Sequence, residues 1–336
     1  MAALRVDRAL TTYRTLDLTI IIVNWNAGAA LRGCLQSIRV CRPQHPVRVI
    51  VVDNASTDGS PEIVQREFLE VQLLNSGGNL GFARANNLAR PHITSDLVLF
   101  LNPDTVLQPG AIDAMTTAMQ QSQDVGAVGC KIRYADGRVW QQLVQRFPSP
   151  WIEFLGLVVA SAAWRRRLGG LFPYLDPDRS SYASKLCGGC FMARKAVLDS
   201  VGWFDERYFM YAEDADLSRS ISDRGWKLFY VSEGEISHAG GESSRRAPSD
   251  FPVLMHCESM AKLMGKYYGR VGALKYRMAI FAGAALRLAA LIPLAILRWF
   301  VPALREFHLI NALRKSRLMV QWSLGLKRSV IPRLSS

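Results

Sequence analysis

The chain has 336 residues, about half of them apolar, with six cysteines and a net charge of +13. That length suits one large domain with an appendage or two modest domains. So sparse a cysteine set argues against a disulfide framework and fits a reducing compartment. The charge is unevenly placed. From Lys262 onward there are 14 Lys and Arg and one acid, Glu306, while the preceding 261 residues hold 27 of each sign. Two parts with different partners are expected from such a split. The first fifteen residues hold no apolar run long enough for a signal peptide, so the chain is expected to begin in the cytoplasm.

In chain order, residues 16–26 read as a buried strand because the run LDLTIIIVNWN is apolar and β-branched. Residues 29–40 carry apolar side chains at helical spacing, and 47–53 repeat the buried-strand pattern. Ser60 and Pro61 mark a helix start, with proline at the first helical position. A third strand is expected at 71–75, a short helix at 83–90 and a fourth strand at 96–102. Strands alternating with helices predict a parallel sheet with right-handed crossovers, half of a doubly wound α/β fold. Ligands bind such sheets at the carboxyl ends of the strands, so Asp53 and Asp104 are expected to face one crevice. The pattern degrades over 146–184, where an excursion on the acceptor side is expected. Residues 213–226 read as a short helix with acids in its first turn and Gly225 as its C-cap. KLFYVSEG is expected to form the last strand and EISHAGG a loop.

Four stretches and one histidine hold candidate chemistry, and most also have an ordinary structural explanation. In VVDNASTDGS, Asp53 ends a strand before turn-forming residues. It is either part of a polar turn or a carboxylate that accepts the imide N–H of uracil or thymine. In VLFLNPDT, Asn102 and Asp104 follow a buried strand, and Pro103 holds the backbone extended. A carboxylate there is either a turn residue or a ligand for Mg2+ or Mn2+ beside a diphosphate. GNLGFARANN opens a helix with glycines that permit close approach of a phosphate, without dinucleotide-fingerprint spacing. FMYAEDADLSRSI places Glu213, Asp214 and Asp216 at a helix start, where they either offset the macrodipole or supply a general base for an acceptor hydroxyl. His238, after the last strand, is either structural or the partner of Asp104 at a metal.

These motifs, with the IIVNWN strand, GGCFMARKAVLDSVGWFDERYFMYAEDADLSRSISDRGW and ISHAGGES, run in one order over residues 16–244. Together they resemble the family 2 glycosyltransferases. The sequence looks closest to the rhamnosyltransferase and galactofuranosyltransferase-like branch that builds bacterial surface polysaccharides. The resemblance implies a GT-A fold, a Rossmann-like, mostly parallel sheet flanked by helices. It implies a catalytic domain at 16–244, with a donor half at 16–133 and an acceptor half at 134–244. An N-terminal extension, 1–15, would precede it, and a basic helical region, 245–336, would follow. Donor-binding residues would be Asn24, Asp53, Asn79, Gly81, Arg84, Asn102 and Asp104. Asp104 and His238 would hold Mg2+ or Mn2+. Asp214 would be the base, with Glu213 beside it, and Gly189, Trp203 and Glu213 would bind the acceptor. The metal motif reads Asn-Pro-Asp where the family often has Asp-x-Asp, which leaves Asp104 as its one carboxylate. The expected reaction is an inverting transfer from a dTDP- or UDP-sugar, rhamnose first among candidates, to a lipid-linked saccharide.

Rival functions have sequence signatures of their own. A nucleotidyltransferase would carry a glycine- and arginine-rich loop after the first strand, where this chain has NWNAGAALRG. A non-catalytic module that kept the fold would have lost the base or a metal ligand, and neither is missing. Cys187 and Cys190 suggest zinc, but the remaining candidates, His256 and Cys257, are adjacent and lack matching spacing. The basic tail is also apolar, which favours a membrane surface over nucleic acid. Residues 278–297 are long enough to span a bilayer, but Arg287 sits near their centre. Arg287, Arg298 and Arg305 share a helical stripe, Pro293 and Pro302 interrupt it, and Lys275, Arg277, Trp299 and Phe300 flank the segment. An interfacial helix on the inner face of the cell membrane is expected, with a true span or a helix pair packed on the catalytic domain as alternatives.

Overall fold

A computed structural model describes residues 16–41, 43–134, 137–139, 147–159, 176–238, 250–297 and 309–330. Its centre is a nine-stranded mixed sheet. The first half is built from β1 (Leu18–Asn24), α1 (Gly28–Cys41), β2 (Val47–Asp53), α2 (Ser60–Glu67), β3 (Gln72–Asn75), α3 (Phe82–Leu88) and β4 (Leu97–Leu101). There follow β5 (Thr105–Leu107), α4 (Ala111–Gln121), β6 (Val125–Tyr134) and α5 (Pro150–Val158). The rest comprises β7 (Ser181–Ala183), β8 (Cys190–Arg194), α6 (Lys195–Val201), α7 (Glu213–Asp223), β9 (Lys227–His238), α8 (Phe251–Leu297) and α9 (Leu309–Ser323).

The spatial order is β3-β2-β1-β4-β8-β6-β9-β5, with β7 on β9. The first four neighbours are parallel, as the strand–helix alternation predicts. Every residue of β1 and β4 is buried, because helices cover both faces of a parallel sheet. Alternate side chains then feed two cores. Ile20, Ile22, Val49 and Val51 pack with Leu31, Leu35 and Met115 of α1 and α4. Ile21, Ile50 and Val52 join Phe100, Phe191, Trp203, Leu217 and Ile221 on the other face.

The remaining half departs from the parallel pattern. β8 runs antiparallel to both β4 and β6, and β5 antiparallel to β9. These reversals build the site. An antiparallel β8 brings its N-terminal end beside the carboxyl end of β4, with Cys190 opposite Leu101. The Gly188–Gly189 pair therefore arrives at the same crevice as Asn102. β5 likewise pairs Thr105 with His238. EISH is strand where a loop was expected: the β6–β9 register jumps from Cys130↔Val231 to Lys131↔Glu235, and pairing resumes as far as Tyr134↔His238. Such an irregularity re-aims a strand without ending it.

Helix α8 changes the expected organisation of the tail. It begins at Phe251 and bends at Gly269, where φ is +68° and ψ −173°, so the break is at glycine while Pro293 lies inside the helix. Its first stretch is core. Leu254, Cys257, Met260 and Leu263 cluster with Tyr208, with Ala212 and Ala215 at the start of α7, and with Leu318 and Trp322 of α9. Arg298, Arg305, Pro302, Trp299 and Phe300 lie outside the described residues, as do 1–15 and most of 146–175.

Candidate active site

The carboxyl ends of β1, β2 and β4 converge on a cavity of about 310 Å3. Of the expected site residues, Asn79, Gly81, Asn102, Asp104, Gly189, Glu213, Asp214 and His238 line it. Asn24 and Asp53 sit just behind this wall, paired in register at the ends of β1 and β2. Asn24 Nδ2 donates to Asp53 Oδ1 at 2.8 Å and to Ser60 Oγ at 2.7 Å. The Ser56 amide donates to Asp53 Oδ2 at 3.1 Å. Each carboxylate oxygen keeps a lone pair for a further donor.

The glycine-rich segment closes over this end. Asn54 Oδ1 accepts from the Leu80 amide at 2.8 Å, and Asn54 Nδ2 donates to Asn79 Oδ1 at 3.0 Å. Gly81 has φ +78° and ψ 179°, a region open essentially to glycine alone. A Cβ there would lie 2.2 Å from the Phe209 carbonyl oxygen. The Phe82 amide donates to that same oxygen at 2.7 Å, which ties the donor loop to the acid-bearing loop.

At the cavity floor, His238 Nε2 is 3.2 Å from Asp104 Oδ1 and 3.3 Å from Asn102 Nδ2. Asp104 is 7% exposed and His238 2%. Among the described residues no group of three or more His, Cys, Asp or Glu stands ready to hold a metal alone. A hard divalent cation needs only one or two protein carboxylates when substrate phosphate and water complete its shell. An oxygen and an imidazole nitrogen 3.2 Å apart at the cavity fit Mg2+ or Mn2+ in that manner. The zinc suggestion finds no such support. Cys190 packs on Cys130 with sulfurs 3.5 Å apart, and burial pushes the Cys187 thiol up to about 12.

The third group opens α7. Tyr211 and Ala212 hold left-handed conformations, φ +68° and +67°, immediately before Glu213. Such strain persists only where the surroundings enforce it, and α8 does so. Ser259 Oγ donates to the Met210 carbonyl at 2.7 Å and Lys262 Nζ to the Arg207 carbonyl at 2.9 Å. Lys266 Nζ bridges Asp205 and Asp216 at 2.9 and 2.8 Å. Asp214 Oδ2 accepts from the Gly188 amide at 3.1 Å and Oδ1 from the Ala215 amide at 2.7 Å. Burial, and then the neighbouring Asp214 charge, pushes the Glu213 carboxyl up to about 8.

Two expected residues lie elsewhere. Trp203 is buried beneath the site, edge-on to Phe100, and its indole N–H donates to Asp199 at 2.9 Å. A large aromatic here serves the core, so it is not part of the cavity wall. Arg84 points from α3 toward Glu206, 3.9 Å away at an exposed surface, and is also absent from the wall. Conversely, Trp25, Asn54, Lys185, Tyr211, His256 and Met260 line the cavity without having been expected. Asn54 adjoins Asp53 and Tyr211 adjoins the acids, so motif position points to both. The α8 residues give no such signal, because their spacing is that of any core-facing helix.

Known proteins are similar to this chain in sequence and fold. The sequence profile described as "Glycosyl transferase family 2" matches residues 19–202. The N-acetylglucosaminyl-diphospho-decaprenol L-rhamnosyltransferase of Mycobacterium tuberculosis is 30% identical over 75% of this chain and 85% of its own. Rhamnosyltransferase WbbL of Escherichia coli is 27% identical over 51% of this chain and 65% of its own. A mannosyltransferase of Pyrobaculum calidifontis, solved with GDP-Man and Mn2+, has the same fold. Its TM-score is 0.57 at 17% identity, over 93% of this chain and 87% of its own.

Proposed function

The chain belongs to glycosyl transferase family 2, and on that premise we propose that it moves rhamnose from dTDP-rhamnose to a hydroxyl of a lipid-linked saccharide. The step would serve cell-surface polysaccharide synthesis at the cytoplasmic face of the membrane. One observation supports this most: the Asp104–His238 pair and the Glu213–Asp214 pair line a single cavity, with Asp53 behind its donor end. The names of the M. tuberculosis and E. coli relatives support rhamnose as the sugar.

The roles follow from placement. Asp53, held by Asn24 and Ser56, accepts the imide N–H of the donor base. Asn79, on the cavity wall beside Asn54 and Gly81, would face the donor's phosphates. Asp104 and His238 would hold Mg2+ or Mn2+, which supplies positive charge beside the departing diphosphate. Asp214 takes the proton of the acceptor hydroxyl as that oxygen attacks the anomeric carbon. The displacement is single and in line, so the anomeric configuration inverts.

The membrane assignment rests on α8. After Gly269 the helix is apolar on two sides. Gly272, Tyr276, Ile280 and Ala284 are buried, while Val271, Leu274, Met278 and Phe281 are exposed at spacings of 3, 4 and 3. A helix with an exposed apolar stripe besides its buried face has a surface left for a second partner. By length and composition it is also apolar enough to cross a membrane. An anionic lipid surface suits that exposed stripe and the exposed Lys275 within it, whereas Arg277 is turned to the Trp322 and Ser323 carbonyls of α9.

The test is transfer from dTDP-rhamnose to a polyprenyl-diphosphate-linked acetylglucosamine by Asp214→Asn. Loss of the base lowers the rate by about 10²–10⁴ while donor affinity persists. Wild-type turnover in that variant removes Asp214 from the role.

A further inference from the structure

We infer that Lys185 is a positioning residue for the acceptor-side chemistry: its ammonium decides which of two adjacent carboxylates, Asp214 and not Glu213, bears the negative charge. This rests on Asp214 being the base. Lys185 stands in the loop between β7 and β8, outside every motif quoted above, and lines the cavity. Its Nζ lies 3.4 Å from Asp214 Oδ2, with side chains only 17% and 13% exposed. A pair so sheltered escapes the screening that makes surface ion pairs weak. Among the described residues it is the one cation that pairs with either carboxylate.

The two acids are treated differently. Asp214 accepts from two backbone amides as well as from Lys185. Glu213 Oε2 is buried and has no hydrogen-bond partner. Two neighbouring buried carboxylates cannot both ionise cheaply, and the partnered one takes the charge. The shifts agree with this geometry. Burial, then Asp214, raises Glu213 to about 8, so it is a neutral acid at neutral pH. Burial, the largest single influence, pulls Lys185 down, but the Asp214 charge and hydrogen bond together with Cys187 and Glu153 outweigh it and leave the ammonium above its ordinary value.

The other ionisable neighbours leave the assignment to Lys185. His256 of α8 is pushed down to about 4 by burial first and Lys185 second, and is therefore a neutral imidazole. Burial raises both the Cys187 thiol and the Glu153 carboxyl of α5, disfavouring their charged forms. Asp216, on α7 itself, is engaged by Lys266 at 2.8 Å. The consequence is a division of labour. Asp214 is free to accept a proton, and the neutral Glu213 has an O–H to offer the acceptor saccharide.

The experiment compares pH–rate profiles of wild type, Lys185→Met and Lys185→Arg, with donor affinity measured alongside. Lys185→Met keeps donor affinity, loses about tenfold or more in kcat, and moves the acid limb of kcat/KM to higher pH by about one unit or more. Lys185→Arg, which keeps the cation, restores the limb. A wild-type limb and kcat in Lys185→Met overturn the inference. If Asp214→Asn is inactive in the same assay, only the role of Lys185 falls; if Asp214→Asn is active, the base assignment falls as well. Should Lys185→Met fail to fold, carboxyl ¹³C NMR of the wild-type protein decides. The Glu213 resonance, identified by its absence in Glu213→Gln, titrates near or above neutral pH; a Glu213 that is ionised across that range contradicts the inference.

Discussion

Gly81→Ala probes the seam between the donor loop and the acid-bearing loop. The new Cβ would meet the Phe209 oxygen at 2.2 Å and its Cδ2 at 2.7 Å, and neither belongs to the far end of a flexible side chain. Holding alanine at φ +78°, ψ 179° costs about 1–3 kcal/mol by itself. Relieving the overlap separates Phe82 N from Phe209 O, now 2.7 Å apart, and an unmet buried backbone group costs about 1–3 kcal/mol more. The sum is about 2–6 kcal/mol, a fall in Tm of about 3–8 °C for a protein of this size. Because Phe209 leads directly into Tyr211, Ala212 and the two acids, a shift on the order of 1 Å would reach Asp214 and lower kcat by up to about 10²-fold. Gly77→Ala is the control. Gly77 also has φ +71°, but nothing lies within 4 Å of its added Cβ, so it carries backbone strain alone. Differential scanning fluorimetry and initial rates on both variants separate the two terms. Equal Tm and kcat for Gly81→Ala and Gly77→Ala would refute the argument that the contact matters.

Asp53→Ala should raise the donor KM more than it lowers kcat, since the base lies far from the reacting carbon and Asn24 keeps Ser60 as a partner; a fall in kcat alone would bring Asp53 nearer the chemistry. Exhaustive chelation should abolish transfer and Mg2+ or Mn2+ restore it, with Asp104→Ala responding poorly to added metal; full activity after chelation would count against that role. The folded-state Glu213 pKa of about 8 exceeds its ordinary 4.5, so this group's contribution to stability is complete below the lower value and is lost as pH rises through the upper one. Glu213→Gln should therefore flatten the decline of Tm with pH over that window, by on the order of a few kcal/mol at its alkaline end; an unchanged slope contradicts it. Leu274→Glu with Met278→Glu, both exposed, should release the protein from anionic vesicles while leaving donor binding intact. Persistent vesicle binding would end the surface assignment, and retention after alkaline carbonate would favour a span. A cut near Lys275 is a poorer test, because it removes Tyr276 and Ile280 from the core shared with α9.

The strands β1 and β4 were legible because a parallel strand buried on both faces must be an unbroken apolar run, as LTIIIVN and LVLFL are. The antiparallel insertion of β8 was not. CFMAR has the same buried character, and its direction depends on pairing with β4 and β6, about 90 and 60 residues away in the chain. The continuation of β9 to His238 was hidden by the polar Ser232–Gly234 stretch, which reads as a turn yet is absorbed as a register jump. Asp53, Asp104 and Asp214 were legible as acids at element ends, where strand termini and the first turn of a helix deliver them to the crevice. Trp203 was misplaced because its motif neighbours say nothing about direction, and its ring turns inward onto Phe100 while Asp199 satisfies the indole N–H. Lys185 and His256 reach the cavity only through the docking of loop and helix onto α7, which no local pattern encodes. The tail's charge pattern says nothing of how its helix packs: the first turns of α8 join Tyr208, Ala212 and Ala215 in one core.

The central claim is a single in-line displacement with Asp214 as base. The anomeric configuration of the product tests it most directly. NMR of the disaccharide formed from dTDP-rhamnose, taken before any mutarotation of by-products, should show a glycosidic linkage inverted relative to the donor, with no sugar covalently attached to the protein at any time. Retained configuration, or a glycosylated protein trapped during turnover, would contradict the account.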